Sequence, residues 1–478
     1  MRPLETAVLV IAAVYPVAGV VAPRLKAVHA LPLLAAALAV VHLIVEGYRW
    51  QMVPAYAVLA VMARVGWRLL RKPAPGLQIA RSEPSKVGLL ALIPVVLVAL
   101  LPALVPVPRL PEPSGSFEVG TVSLYLVDEN RTEIYGPEPG GPRELMVQLW
   151  YPANLESGAT PGPWADDLDQ LGPAAAERLG FPSFALDHLA LAETHSYADA
   201  PLAETQERYP VIVYSPGWTG FRTVNVDQSE ALASHGYIVV SVDHTYGSIM
   251  TVFPDGRAVG LDRDALPAEE DVGEEAYRAA ARTFLEVYAA DLAFVLDSLE
   301  AIDEDDGRFT DRLDLDRVGL FGHSAGGGAV VALCHADQRC AAGAGLDPWV
   351  EPVPLNIVAD GLAQPFLFVR SEEWTFYDND DLLVDLYEHG GEGQYLASIA
   401  GTEHWDFVAV PLLTTLAPQL GLKGPIKSER VMAITDDLLV SFFDAHLQGG
   451  GALDVAGTST RHPEVTLEMR PGDQPVSG

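Results

Sequence analysis

Gly322-His323-Ser324-Ala325-Gly326 places a serine in a G-x-S-x-G pattern, and Gly327 and Gly328 follow it. The chemistry such a serine could do is acyl transfer, with the hydroxyl attacking an ester carbonyl and carrying the acyl group until water removes it. The context supports this use. The strand-like run RVGLF precedes the motif and the helix-like GAVVAL follows it, so Ser324 falls at a strand-to-helix turn. Bulky residues two positions either side would collide with so sharp a turn, and glycine avoids the clash. The helix that follows points its positive end at any negative charge developing on the substrate.

A serine hydroxyl is a weak nucleophile at neutral pH and needs a histidine base oriented by a carboxylate. In the α/β-hydrolase fold the chain order is serine, then acid, then histidine. The downstream histidines are His335, His389, His404, His446 and His462. His335 lies about three turns along the helix after Ser324, roughly 16 Å away at 1.5 Å per residue. His446 ends a terminal helix, and His462 lies beyond it. His404 instead sits in Gly401-Thr402-Glu403-His404-Trp405, directly after the strand-like run Gln394–Ile399, where a late loop would deliver an imidazole to the sheet's carboxyl edge. It is the favoured base, with His389 as runner-up. For the acid, Asp347 closes the apolar run Ala341–Leu346, and Asp360, Asp378, Asp380 and Asp381 are alternatives. Periodicity does not choose among them. The backbone N–H of Ala325 is one oxyanion donor. Trp218, in the glycine-rich turn Ser215-Pro216-Gly217-Trp218-Thr219-Gly220, supplies the second.

These residues need a scaffold. Short apolar runs at Leu145–Tyr151, Val211–Tyr214, Tyr237–Val242, Val318–Phe321 and Pro365–Val369 read as buried strands, and Glu274–Leu299 and Glu429–Leu447 read as helices. Their alternation predicts a mostly parallel, doubly wound sheet over residues 111–457. Two acidic, Gly/Pro-rich stretches, Leu155–Gln206 and Leu261–Glu275, read as lids or solvated excursions, and residues 458–478 as a weakly structured tail.

Residues 1–110 have another character. They hold eleven Lys/Arg and three Asp/Glu, whereas the rest of the 478 residues holds 19 and 61. So acidic a catalytic part repels phosphate backbones, which excludes nucleic acid as a partner. Val87–Val107 runs 21 residues without a charge, long enough to cross a bilayer. Ala27–Val45 is a second such stretch, and Ala7–Ala22 and Trp50–Trp67 are weaker ones, giving an expected all-α transmembrane region of about four helices. A cleaved signal peptide fits the first stretch poorly, because Glu5 follows Arg2 and more apolar stretches come after. Arg24 and Lys26 in one loop, and Arg68, Arg71, Lys72, Arg81 and Lys86 in another, should face the cytoplasm. Both termini and the catalytic part are then outside. His29, His42 and Pro32 are read as facing a helix neighbour or lying near an interface. The two cysteines, Cys334 and Cys340, offer no zinc-type cluster, and outside the cytoplasm they could close one short disulfide loop.

YSPGWTGFRT at 214–223, GYIVVSVDHTYGS at 236–248, GHSAGG at 322–327, GLDPWVEP at 345–352 and GTEHWDF at 401–407 together resemble the plasma-type (group VII) platelet-activating factor acetylhydrolases. The resemblance implies an α/β-hydrolase with Ser324, Asp347 and His404 as the triad, Trp218 and Ala325 as the oxyanion hole, and no metal or other cofactor. It also implies short or oxidised sn-2 acyl esters of phospholipids as substrates. Pro216-Gly217 stands where that family usually has His-Gly, and Ala325 where a bulky residue is common, so the acyl pocket is reshaped. A general carboxylesterase or lipase would share the same triad. A membrane transporter or sensor with a hydrolase-like ligand-binding domain is the alternative from another class.

Overall fold

Apolar runs too short for helices lie side by side in a ten-stranded sheet, as the computed structural model shows for the described residues 1–22, 25–71, 90, 92–372 and 379–470. The strands are β1 (Glu118–Thr132), β2 (Pro142–Ala153), β3 (Ser196–Ala198), β4 (Tyr209–Ser215), β5 (Ile238–Asp243), β8 (Leu313–His323), β9 (Cys340–Leu346), β10 (Phe366–Ser371), β11 (Gln394–Ile399) and β12 (Val465–Met469), with β6 (Met250–Val252) and β7 (Ala258–Gly260) forming a separate pair. The order is β12-β11-β10-β9-β8-β4-β5-β2-β1-β3. From β11 to β5 every neighbouring pair is parallel, while β2 is antiparallel to both β5 and β1. The parallel strands are covered on both faces, so they read as continuous apolar runs rather than alternating ones; all seven residues of β4 are buried. Each expected strand overlaps one of these, with Tyr237 and Pro365 falling one residue before β5 and β10. Because six strands run the same way, their carboxyl ends share one edge, where loops can converge.

The helix Glu274–Asp305 extends the expected Glu274–Leu299. It buries Tyr277, Ala281, Phe284, Leu285, Tyr288, Leu292, Val295, Leu296 and Leu299, a helical spacing that faces the core. Leu155–Gln206 is not merely solvated: it carries the helix Leu168–Arg178 and β3, and its buried Trp164 donates through Nε1–H to the Thr223 carbonyl at 2.7 Å. The expected tail from residue 458 is corrected. That boundary cuts the helix Val455–Arg461, and beyond it β12 pairs antiparallel with β11, burying Val465 and Leu467. Five alternating residues beside charged ones are too short a signal to stand out, and β12 gains its hydrogen bonds only from a neighbour distant in sequence. Cys334 and Cys340 are joined as a disulfide.

A separate unit comprises Met1–Pro108 with Asp187–Ala192 and Leu412–Ala417. Pro3–Val21, Lys26–Val45 and Trp50–Arg71 are long and apolar enough to cross a membrane. The fourth expected stretch is helical over Leu92–Leu104, and part of it lies outside the described residues. Large apolar side chains such as Val21, Ile44, Val61 and Leu97 are exposed on these helices. At one end of the bundle Arg49 donates to both Glu5 oxygens (2.7 and 2.6 Å) and to the carbonyls of Val105 (2.8 Å) and Pro102 (3.1 Å). There too Arg2 donates to the Gly47 carbonyl (3.0 Å), and Leu4 N–H to Glu46 (2.7 Å). His42 is fully buried, hydrogen-bonded to Tyr56 Oη (2.7 Å) and to Glu46 (3.0 Å), which fits a histidine facing its neighbours.

Candidate active site

β8 ends at His323, the helix Ala325–Ala336 begins two residues later, and Ser324 between them has φ 55° and ψ −125°. A non-glycine residue in that region is strained, and the surroundings must hold it there. A Cβ on Gly326 would lie 2.1 Å from the Ser215 carbonyl oxygen, and one on Gly322 would lie 2.5 Å from the carbonyl carbon of Gly326. Both flanking glycines are therefore required by close packing. Ser324 N–H donates to the Leu346 carbonyl (3.1 Å), and the Ser324 carbonyl accepts from Trp349 N–H (2.8 Å). These bonds tie the elbow to the loop after β9.

Asp347 opens that loop, with φ 46° and its N–H bonded to the Val369 carbonyl at 2.6 Å. Its carboxylate accepts from Ser371 N–H (2.7 Å), Ser371 Oγ–H (2.8 Å) and His404 Nδ1–H (3.0 Å). His404 begins a short turn after β11, and Asp406 secures that turn by accepting from Glu403 N–H (2.9 Å) and Gly424 N–H (2.7 Å). Burial raises the Asp347 carboxyl from its usual range, against the lowering effect of the Ser371 donors. Burial lowers the His404 imidazole. Because that side chain is still 27% exposed, solvent offsets part of the fall. The ring is neutral at neutral pH either way, and its Nδ1–H faces the carboxylate, which leaves Nε2 able to accept a proton.

The Trp218 and Ala325 N–H groups have no acceptor among the described residues. A Cβ on Gly217 would lie 2.8 Å from Ser324 Cβ, so the Trp218 turn runs directly against the elbow. Several of the other candidates are engaged elsewhere. His389 Nδ1 bonds the Val358 carbonyl (3.0 Å), His335 faces Asp360 (3.4 Å), and Asp380 pairs with Arg370 (2.7 Å). Asp378 lies outside the described residues. Sequence reasoning missed two supporting residues. Ser371 ends the strand beside β9, and only strand register reveals it. His323, whose Nε2–H donates to the His404 carbonyl (3.1 Å), stood inside the motif without an assigned role.

Residues 105–270 and 294–454 match the family model described as platelet-activating factor acetylhydrolase, isoform II. A platelet-activating factor acetylhydrolase from Canis lupus familiaris is 25% identical over 360 residues, 71% of this chain and 77% of its own. A probable 1-alkyl-2-acetylglycerophosphocholine esterase from Arthroderma benhamiae is 24% identical over 406 residues, covering 75% of this chain and 93% of its own. A ferulic acid esterase from Streptomyces cinnamoneus matches in structure with a TM-score of 0.62 at 29% identity, over 76% of this chain and 99% of that one. With the sheet order above, these likenesses make the fold an α/β-hydrolase.

Proposed function

This chain belongs to the platelet-activating factor acetylhydrolase family, and on that premise we propose that it cleaves short sn-2 acyl esters of phospholipids with Ser324, His404 and Asp347 as its triad. That it is a serine ester hydrolase follows from the family and from the esterase likeness. The observation that carries the triad is the 3.0 Å bond between Asp347 and His404 beside a serine held at φ 55°. His404 Nε2 takes the Ser324 proton as Oγ attacks the carbonyl, and the N–H groups of Trp218 and Ala325 receive the oxyanion. The imidazolium returns that proton to the leaving alkoxide. Water, deprotonated by the same Nε2, then releases the acyl group as its acid.

The membrane assignment rests on the helical unit. Residues 2–5, 46–49 and 102–105 meet in one hydrogen-bonded cluster, so they belong on one side of a bilayer. The helix Val53–Arg71 leads away from that cluster, and Leu92–Leu104 returns to it. This arrangement favours four crossings, and the basic loops then face the cytoplasm with the hydrolase outside. The Cys334–Cys340 disulfide suits an oxidising compartment. Substrate would then lie in the adjoining leaflet. Labelling of Leu25→Cys by an impermeant thiol reagent in intact cells would contradict this orientation.

The likeness to the ferulic acid esterase favours a second reading, a carboxylesterase acting on other esters. Purified full-length protein should hydrolyse phosphatidylcholines at rates that depend on Ser324 and fall steeply as the sn-2 chain lengthens from two carbons. Serine-dependent turnover of a simple soluble ester alone would favour the second reading, and no reaction with a fluorophosphonate would favour a binding-only domain.

A further inference from the structure

A second serine–histidine–aspartate arrangement lies behind the turn that carries Trp218. Ser215, the last residue of β4, bonds through Oγ to His244 Nε2 at 2.9 Å, and His244 Nδ1 bonds Asp291 Oδ2 at 2.9 Å. Ser215, His244 and Asp291 are all fully buried. Asp291 receives Arg143 through Nε (3.0 Å) and Nη2 (2.7 Å), and Arg131 Nη2 lies 2.8 Å away. Burial would raise the Asp291 carboxyl, but Arg143 and His244 outweigh it and hold it below its usual range. Burial also lowers His244. The imidazole is therefore neutral with its proton on Nδ1, and Nε2 accepts the Ser215 hydroxyl proton. Sealed from substrate and water, this serine has no carbonyl to attack.

Its place in the chain gives it a different use. Ser215 begins the turn that ends in Trp218-Thr219-Gly220, and its carbonyl packs where a Cβ on Gly326 would lie, 2.1 Å away. Thr219 N–H donates to the Gly247 carbonyl (3.0 Å), and the His244 carbonyl accepts from Gly247 N–H (2.8 Å) and Ser248 N–H (2.7 Å). The His244 ring stacks on Tyr288 with centroids 3.7 Å apart, and on the same helix Phe284 meets the Trp218 ring at 4.8 Å. The turn is thus held by backbone, side chain and ring at once.

We propose that Ser215, His244 and Asp291 form a positioning relay that holds the Trp218 N–H aimed at the oxyanion. The inference rests on the oxyanion role of Trp218 proposed above. Full-length protein with Ser215→Ala tests it, and His244→Gln is a second probe that leaves the serine in place. A trifluoromethyl ketone ester analogue reads the hole directly: Ser324 Oγ adds to its carbonyl carbon, the π pair moves to oxygen, and the proton passes to His404. In whichever variant unfolds as one cooperative transition, kcat and ketone affinity should fall together by about tenfold or more, with KM unchanged, because a misaimed donor weakens the transition state and not substrate binding. Values within twofold of wild type, in a wild type whose turnover depends on Ser324, would overturn the relay alone. A wild type without Ser324-dependent turnover would overturn the catalytic reading and the relay with it.

Discussion

Two serine–histidine–aspartate sets share the carboxyl edge of one sheet, built from the same functional groups and opposite in their surroundings. Ser324 sits at φ 55° on a strained elbow, the histidine proposed as its base is 27% exposed, and Asp347 accepts, among the described residues, from Ser371 and His404. Ser215 ends an ordinary strand, its histidine is fully buried, and its Asp291 is clamped by Arg143 and Arg131. A hydrogen-bonded triad is therefore not in itself a catalyst. On the proposed assignment, access, backbone strain, and a carboxylate available to stabilise a transient imidazolium separate the reactive set from the structural one.

The largest expected effect breaks the comparison outright. Ser324→Ala should lower kcat by about 10⁴-fold to 10⁶-fold with the melting temperature nearly unchanged, as measured by ester turnover and calorimetry. Next come the two acids. Asp347→Asn should cost about 10⁴-fold in kcat while the domain stays folded. Asp291→Asn leaves the buried Arg143 short of a partner and should instead cost about 3–5 kcal/mol in denaturant unfolding. If the two substitutions had the same phenotype, the distinction would fail.

The pH profile sharpens it further. The base must be neutral to accept the Ser324 proton, and burial lowers His404. kcat/KM should then be level through neutral pH and drop about tenfold per unit only well below the ordinary histidine value of about 6.5. An acid limb centred above that value would trace to Asp347, whose carboxyl burial raises, and not to His404.

A smaller effect concerns buried carboxyls with no cation paired to them among the described residues. Glu230 is pushed up to about 8 by burial, against the lowering hydrogen bonds of Ser196 and His195, and its Oε2 has no partner among the described residues. An acid raised on folding contributes stability that is full below its unfolded value of about 4.3 and is lost as pH climbs through 8. Glu230→Gln keeps the acceptor for Ser196 Oγ–H and His195 N–H (2.6 and 2.7 Å). It should be near neutral at pH 5 and stabilising by about 1–3 kcal/mol at pH 9, read from urea midpoints.

Much of the proposed reactive set was legible because its chemistry is local. G-x-S-x-G between strand and helix, a histidine after a late strand, and a glycine-rich turn after an early one each carry their own signal. The acid was not, since Asp347, Asp360 and Asp380 look alike until β9 and β10 register brings Ser371 beside one of them. The second set stayed hidden for a different reason: His244 precedes the nucleophile in the chain, so the expected order of serine, acid and histidine passes over it. Among strands, fully buried β4 declared itself through Val211–Tyr214, whereas β1, half exposed and ending in Asp128, Glu129, Asn130, Arg131 and Thr132, did not. β12 depends on pairing with β11, which no local pattern encodes.

The most direct test of the central claim is mass spectrometry of the full-length protein after exposure to a fluorophosphonate. The account predicts one adduct, on Ser324, that is lost in His404→Ala and leaves Ser215 unmodified. An adduct on Ser215, or labelling of Ser324 at the same rate without His404, would contradict it.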